Sequence, residues 1–416
     1  MYQLIASPLL ISFAVCCLFS VPASLGAQSD HQDMRVFLDC EFCDLAYIKQ
    51  EFTAISYVRH QQDADVHVLV TRQSTASGGR SFEVQFIGKG DFSDLNNQLH
   101  YSTEPKEAAT EQRQAFLHIL RLGMVPYLSR SDSHLITISI QSPEADSTEE
   151  RQVQDPWKNW VYEVEANGNM DIESLRKSHR FRTSMSADHV TEAWRLRIRV
   201  YSSYNRSVIR GDQEIYESIR KNQGGWSSVA YSLGDHWSVG ASANYHQDSY
   251  QNLDHQAGIA PALEYSLFPY QEVMRREFTI AYRLKGLYQD YQVETIYGKM
   301  SEALVQQELR VDLRMRQAWG QLFSGLSGAH VIHDPEKFRL SLDSHIDLRL
   351  IRGLSLRVSS NIRLIRDQLS LPSGGSSLED LLLQQRQLAT DYDLGLYAGV
   401  SYTFGSIYNN IVNTRL

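Results

Sequence analysis

The first candidates for chemistry are two cysteines separated by two residues. Cys40 and Cys43 lie between a short apolar stretch and a segment with helical spacing. A dithiol in that position can do redox chemistry, because the N-terminus of a helix lowers the pKa of a nearby thiol. The same spacing also forms structural disulfides in oxidising compartments. We interpret Cys40 and Cys43 as a structural disulfide. Since no second pair of metal-binding residues accompanies them in the sequence, we expect neither a metal nor another cofactor.

Arginines at every second position form the next pattern. Residues 194–200 read Trp-Arg-Leu-Arg-Ile-Arg-Val, and residues 309–316 and 354–364 alternate in a similar way. Successive side chains of a strand point to opposite faces, so one face is charged and the other apolar. If such strands enclose a lumen, the charged face either selects anions or fills a narrow lumen with neutralising ion pairs, and the sequence leaves both interpretations open. The residues predicted to line the lumen are Arg195, Arg197, Arg199, Arg310, Asp312, Arg314, Arg316, Arg357 and Arg363.

A histidine and a serine two positions apart could supply a nucleophile and its base. His236 and Ser238 resemble the His-x-Ser pair of outer-membrane phospholipases, which are twelve-stranded barrels, and the resemblance implies a lipid hydrolase. The residue between them, Trp237, is expected to face outward, so the pair would face inward, unlike the phospholipase pair. We therefore predict no catalytic residues and keep the hydrolase as an alternative. The sequence contains no G-x-S-x-G, H-E-x-x-H, phosphate-loop or dinucleotide-binding motif.

The N-terminal segment has the pattern of an export signal. Residues 9–21 are an unbroken apolar run, and small residues follow at positions 23–27, although no Lys or Arg precedes the run. A run of about 13 residues is shorter than the ~20 that a membrane-spanning helix needs, which favours a cleaved signal peptide. The predicted segments are a signal peptide over residues 1–27, a periplasmic α/β domain over residues 31–142 and a polar linker over residues 143–157.

The segment after the signal combines short strands with two amphipathic helices. Apolar residues at periods of two and about 3.6 distinguish the strands from the helices. Strands are predicted at residues 34–38, 66–71, 81–88 and 135–140, and helices at residues 44–58 and 112–128. The order β-α-β-β-α-β predicts a split βαβ sandwich with its helices on one face of the sheet. A fold of this kind gives no function by itself.

From residue 158 onward the sequence consists of long alternating stretches. About twelve strands are predicted over residues 158–404, most of them about 9 to 15 residues long. Soluble strands average about 5 to 6 residues, whereas about 9 to 11 are needed to cross a bilayer. Short connections alternate with longer ones, as in transmembrane barrels. We therefore predict an all-β antiparallel transmembrane barrel of about 12 strands behind an α+β N-terminal domain. The residues predicted to form an aromatic girdle on its short-turn side are Trp160, Trp194, Trp237 and Trp319.

The last predicted strand has a characteristic ending. Residues 396–404 read Leu-Tyr-Ala-Gly-Val-Ser-Tyr-Thr-Phe, with aromatic side chains at Tyr402 and Phe404. This resembles the terminal strand of Gram-negative outer-membrane barrels, whose final aromatic residues are read by the barrel-insertion machinery. The resemblance, to barrels of an uncharacterised family, implies an outer-membrane location, with membrane lipid and that machinery as partners, and no known activity. A tail over residues 405–416 departs from the pattern, since most such barrels end at the aromatic residue.

Composition and charge narrow the function without identifying it. The net charge of -9 argues against a nucleic-acid partner, because nucleic-acid-binding proteins carry a basic face. The mean hydropathy of -0.36 is common to soluble proteins and to barrels, since half of each barrel strand faces a polar lumen. We predict a non-enzymatic outer-membrane protein, either a narrow pore or an envelope-assembly protein that binds a periplasmic protein through residues 31–142. The alternatives are the hydrolase and a secreted, soluble β-sandwich binding module.

Overall fold

The computed structural model describes residues 34–75, 79–104, 107–131, 157–191, 193–211, 215–374 and 387–411. The predicted signal peptide and the strand predicted at residues 135–140 lie outside these ranges, as does the predicted linker apart from Trp157. The N-terminal domain consists of β1 (Arg35–Asp39), α1 (Leu45–Glu51), β2 (Ser56–Tyr57), β3 (Val66–Ser74), β4 (Arg80–Gly88), β5 (Asn96–Thr103) and α2 (Ala109–Ser131).

The five strands of this domain form one mixed sheet in the order β2-β1-β3-β4-β5. β1 pairs in parallel with β2 and β3, whereas β3, β4 and β5 are antiparallel. Phe86 of the sheet and Leu120, Met124 and Tyr127 of α2 are fully buried in one shared core. The α+β character predicted for this domain is confirmed. Neither described helix is both long and apolar enough to span a membrane.

Two elements of this domain differ from the prediction. The helix predicted at residues 44–58 ends at Glu51, because Ser56 and Tyr57 form the parallel edge strand β2. Strand β5 is absent from the prediction, since most of its residues are polar and only Leu99 and Tyr101 pack against the core. The order of the described elements is therefore β-α-β-β-β-α once the short edge strand is set aside, which departs from the predicted split βαβ pattern.

Twelve long strands follow and form a single antiparallel sheet. Each strand pairs with its neighbours in sequence, which is the connectivity of an up-and-down barrel. The prediction of about twelve antiparallel strands is therefore confirmed. The strands are β6 (Trp160–Ile172), β7 (Arg176–Val190), β8 (Trp194–Arg210), β9 (Ile215–Ser232), β10 (Trp237–Asp248), β11 (Leu253–Ser266), β12 (Arg276–Tyr291), β13 (Ser301–Gln317), β14 (Gly320–Val331), β15 (Asp334–Ile351), β16 (Leu354–Ile365) and β17 (Tyr392–Tyr402).

The two edges of this sheet are β6 and β17, and no ladder joins them among the described residues. The sheet curls around a lumen, because a segment close to β17 reaches across to the end of β10. There the backbone N–H of Gln387 donates to the carbonyl of Tyr250 at 2.9 Å. We call the end of the barrel at which β6 begins and β17 ends the near end, and the opposite end the far end.

The two faces of the twelve-stranded sheet differ in chemistry. The outward face is apolar and exposed; Val164, Ile259 and Leu396, for example, expose 71%, 62% and 72% of their surface. The inward face carries most of the arginines that alternate with these residues. A soluble β-sandwich would cover the apolar face with a second sheet, and among the described residues no other sheet packs against it.

The N-terminal domain is attached to the near end of the barrel by charged and polar contacts. All of them join a strand end or turn of β12 to β16 to the N-terminal sheet or its loops. They are Arg349 to Asp39 (2.5 Å), Gln321 to Glu41 (2.9 Å), Arg316 to the carbonyl of Arg72 (2.9 Å), Arg352 to Asp63 (3.1 Å) and Arg275 to Glu83 (3.4 Å).

The chain beyond β17 adds a further extended segment to the N-terminal sheet. The backbone N–H of Arg59 donates to the carbonyl of Ile407 at 2.9 Å, and that of Asn409 donates to the carbonyl of Tyr57 at 2.7 Å. The backbone N–H of Tyr57 in turn donates to Oδ1 of Asn410 at 2.5 Å. The tail, which is described as far as residue 411, thus covers the open edge of β2 and fastens the two termini of the folded part together.

Candidate functional site

An elongated cavity of about 770 Å³ occupies one side of the lumen. The inward faces of β8 to β13 form its wall. Arg195, Ser238 and Glu264 line it towards the near end, while Leu369 and Gln387 line it at the far end. The cavity therefore runs along the strands, and its volume is within the range of about 300 to 1,000 Å³ that is typical of small-molecule sites.

From β12 to β17, most of the inward charges lie in ion pairs. The ion pairs are Arg310 with Asp312 (2.6 Å), Arg314 with Glu277 (2.7 Å), Arg357 with Asp347 (2.6 Å) and Arg363 with Asp393 (3.7 Å). Arg283 and Lys285 share the carboxylate of Glu308. Arg316, also predicted to line the lumen, instead donates to a backbone carbonyl of the N-terminal domain. This half of the lumen corresponds to the filled, neutralised network that the sequence allows.

Strand β8 carries the remaining predicted arginines, which we call the arginine ladder: Arg195, Arg197 and Arg199. Their side chains lie on one face of the strand, about 7 Å apart from one to the next. Arg197 pairs with Asp188 at 3.2 Å. Among the described residues no carboxylate oxygen lies within the 4.0 Å of an ion pair from Arg195 or Arg199. The positive charge of the ladder is therefore only partly compensated.

Small side chains lie beside the ladder on the neighbouring strands β9 and β10. The register pairs Ala230 and Ser228 of β9 with the first two arginines of the ladder, and Ser242 follows on β10. The exception is Trp226, the cross-strand partner of Arg199, which lines the cavity and is 36% exposed. No other aromatic ring stacks on Trp226 among the described residues. A partly exposed indole in the polar lumen is thus placed beside a guanidinium with no carboxylate partner among the described residues.

A segment after β16, residues 366–374, folds over the far end of the cavity. The backbone N–H of Ile296 donates to the carbonyl of Leu371 at 2.8 Å, and the side-chain amide of Asn252 donates to the carbonyl of Ser370 at 2.9 Å. Arg339 of β15 holds Asp367 in this segment at 2.9 Å. The far-end segment therefore narrows the lumen on the side where the cavity lies.

Aromatic side chains surround the near end of the barrel. The four predicted tryptophans lie there: Trp160, Trp194 and Trp237 begin strands, and Trp319 directly precedes β14. Trp194 packs on Tyr231 with ring centroids 4.6 Å apart, and Trp237 packs on Tyr265 at 4.8 Å. The two tyrosines did not stand out in the sequence, because the strand register that brings them beside tryptophans has no local signal.

The terminal aromatic residues are exposed at the same end of the barrel. Tyr402 and Phe404 stack with ring centroids 5.7 Å apart and expose 61% and 80% of their surface. The structure thus leaves both rings accessible from outside the barrel.

His236 and Ser238 are not joined to each other in the structure. Nδ1 of His236 lies 2.7 Å from the carbonyl of Ser266, whereas Oγ of Ser238 accepts a hydrogen bond from the Tyr270 hydroxyl at 3.2 Å. Ser238 lines the cavity, but its neighbouring imidazole is engaged elsewhere. Neither residue is placed to activate the other. Within the described ranges, no group of three or more His, Cys, Asp and Glu side chains is placed to hold a metal ion.

Cys40 and Cys43 are joined by a disulfide at the contact between the N-terminal domain and the barrel. The loop they close follows Asp39 and contains Glu41, and both acidic residues contact the barrel. The guanidinium of Arg349 donates one hydrogen bond to each carboxylate oxygen of Asp39, both at 2.5 Å. The disulfide therefore shapes the loop that presents these two acidic side chains to the barrel turns.

Asp39 also receives a hydrogen bond within its own domain. Nε2 of the fully buried His67 lies 3.1 Å from its carboxylate, and Nδ1 of His67 has no partner among the described residues. Burial alone would raise the pKa of Asp39, but the hydrogen bonds from His67 and Arg349 outweigh it and hold the pKa below its ordinary value. Burial lowers the pKa of His67, against the opposing effect of Asp39. A carboxylate and a neutral imidazole are thus the stable forms at neutral pH.

Comparison with known proteins gives structural neighbours only. No protein-family model matches the chain, and no curated protein matches it. The NanC porin is 10% identical, with a TM-score of 0.27 over 55% of this chain and 98% of the porin. A FadL homologue of Pseudomonas aeruginosa is 8% identical, with a TM-score of 0.26 over 58% of this chain and 73% of that protein. Similarity of this size leaves the role of the chain to be argued from its own geometry.

Proposed function

We propose that the chain is an integral outer-membrane barrel that binds or passes small solutes, with no enzymatic activity and with its N-terminal domain in the periplasm. The observation that supports this is the chemistry of the two faces of the sheet. Exposed apolar side chains follow one face of all twelve strands, and contiguous apolar surfaces of this extent are rare in soluble monomers. A bilayer would cover that face, with the near-end tryptophans at the level of the lipid headgroups.

The proposal requires β6 and β17 to pair in the membrane. An unpaired strand edge leaves backbone groups without hydrogen bonds, which in lipid costs several kcal/mol for each group. The two strands run in opposite directions, so their pairing would be antiparallel. Cysteines substituted for Val164 on β6 and, one at a time, for Leu394, Leu396 or Ala398 on β17 test it. We expect one of these three cysteine pairs to form a disulfide in isolated membranes. If no pair forms a disulfide, the barrel is not closed between β6 and β17.

Membrane location can be tested on the full chain in a Gram-negative host. We expect the protein in the outer-membrane fraction, and we expect it to change its apparent mass on a gel after boiling, as folded barrels do. A protein recovered without detergent from the medium or the periplasm would refute the proposal. The accessible aromatic pair Tyr402 and Phe404 supports the barrel-insertion machinery as a partner, with membrane lipid as the second.

We propose that the near end, where both termini of the barrel lie, faces the periplasm. Protease added to intact cells should leave residues 34–131 uncut, whereas the same protease should cleave them after the outer membrane is permeabilised. In that orientation the face of the N-terminal domain directed away from the barrel is available to a periplasmic protein. Cleavage of these residues in intact cells would contradict the proposed orientation.

A further inference from the structure

We propose that the arginine ladder and Trp226 form a binding site for small organic carboxylates that carry a flat, apolar ring. The inference deepens the proposed function, because it names the class of solute that the lumen takes. It depends on the asymmetry of the lumen: ion pairs fill one side, and the other side contains an open cavity.

The charge of the cavity lining favours an anion. Its cationic residues are Arg195, Arg197, Arg283, Lys285 and Arg339, and its acidic residues are Glu264 and Asp367. Each of the last three cations is held by a carboxylate, either Glu308 or Asp367. Glu264 accepts a hydrogen bond from the Tyr270 hydroxyl at 3.3 Å. The lining therefore carries more cations than carboxylates, and Arg195 is the lining cation that has no carboxylate in ion-pair contact among the described residues.

Arginine is suited to a carboxylate in this position. Its planar guanidinium donates two parallel hydrogen bonds to a carboxylate, which is stronger and more specific than a single contact. Arg195 and Arg199 have no carboxylate partner among the described residues. Arg197, which lies between them, pairs with Asp188 of the neighbouring strand β7. The ladder therefore offers the unpaired guanidinium of Arg195 inside the cavity and that of Arg199 next to Trp226.

Trp226 gives the site a preference for a ring. Aromatic rings stack on one another with a gain of about 0.5 to 1.5 kcal/mol beyond the area they bury, and the indole lines the cavity and is 36% exposed. The small side chains of Ala230, Ser228 and Ser242 leave room beside it. Because Trp226 is the cross-strand partner of Arg199, a ring on the indole would bring an attached carboxylate within reach of the ladder.

Binding can be measured by titration calorimetry on the purified, detergent-solubilised full chain at low salt, with benzoate as the probe. Acetate carries the same charge without a ring, and benzyltrimethylammonium carries a ring with the opposite charge. We expect benzoate to bind at least tenfold more tightly than acetate, and the cation not to bind. The double variant Arg195→Gln, Arg199→Gln should weaken benzoate binding at least tenfold, and Trp226→Leu at least fivefold.

Arg363→Gln is the matched control, because it removes an inward arginine of the paired half, remote from the cavity. It should change benzoate affinity less than twofold. The proposal is overturned if wild-type protein does not bind benzoate, if acetate binds equally well, or if Arg363→Gln weakens binding as much as the ladder variant does. A retained shift in apparent mass on boiling shows that each variant is folded. Failure of benzoate binding in a protein that fractionates with the outer membrane refutes this site and leaves the membrane assignment standing.

Discussion

Replacing Arg349 by Gln should destabilise the N-terminal domain by removing the guanidinium from a largely buried carboxylate. The Asp39 side chain is 9% exposed and that of Arg349 is 31% exposed. Breaking a buried ion pair by removing one partner costs about 3 to 5 kcal/mol, because the other charge stays buried. We take the lower end, about 3 kcal/mol, since Arg349 is partly hydrated; that corresponds to about 100-fold in an equilibrium constant.

Hydrogen exchange of the full chain, measured by mass spectrometry, can assign the loss of stability to individual strands. Asp39 ends β1 and His67 lies on β3, and the two strands pair in the centre of the N-terminal sheet. Amides of β1 and β3 should therefore exchange about 100-fold faster in Arg349→Gln, because local opening is more frequent. The strands of the barrel should keep their protection.

Arg352→Gln provides the matched control. Arg352 is three residues further along and pairs with Asp63 at 3.1 Å; its side chain is 54% exposed and that of Asp63 is 14% exposed. A guanidinium that is more than half hydrated gains less from its partner than a more buried one, so the exchange rates should rise several-fold less than in Arg349→Gln. The reasoning is refuted if the two variants behave alike, or if Arg349→Gln changes exchange in β1 and β3 less than threefold.

Three further outcomes follow from other contacts. Truncation after Phe404 should speed hydrogen exchange at the amides of Tyr57 and Arg59, which bond to the tail, without changing the yield of folded barrel; unchanged exchange there would contradict the pairing. Burial lowers the pKa of His67 from its ordinary value of 6.5, so below pH 6.5 the unfolded chain binds a proton that the folded chain does not. The free energy of unfolding of the N-terminal domain should therefore fall as the pH drops from 6.5 towards the lowered pKa. Replacing His67 by Gln should flatten that dependence, measured by urea denaturation followed by hydrogen exchange. Gly353→Ala should destabilise the near-end turn by more than 1 kcal/mol, because the backbone is left-handed there (φ +74°) and a Cβ would lie 2.1 Å from the carbonyl oxygen of Thr403; a melting temperature equal to wild type would contradict this.

The strands of the barrel could be predicted because their signal is local. Most of them have alternating polar and apolar residues, as in Trp194 to Val200, and the alternation persists over more residues than in a soluble strand. The same rule failed in the N-terminal domain. Ile55 and Val58 have helical spacing relative to the residues before them, yet parallel pairing with β1 turns this stretch into an edge strand. Sequence periodicity does not record which strand lies alongside.

The candidate site could be predicted only in its parts. Alternation placed Arg195, Arg197 and Arg199 on one face, but which of them meets a carboxylate, as Arg197 meets Asp188, depends on the register with neighbouring strands. The sequence analysis did not predict Trp226 as a lumen residue, because the glycines and serines around it obscure the alternation of β9. The contact between Asp39 and Arg349 joins residues 310 positions apart, and no local pattern contains such information.

The hydrogen bonds between residues 407–410 of the tail and the segment at the edge strand β2 have a consequence for biogenesis. These hydrogen bonds join residues up to 354 positions apart, and during synthesis the N-terminal domain leaves the ribosome long before its partner residues in the tail. A nascent or prematurely terminated polypeptide that stops before residue 407 cannot make these bonds, whatever else it has folded. Such a polypeptide leaves the edge of β2 unpaired, and an unpaired strand edge is a template for association with other chains.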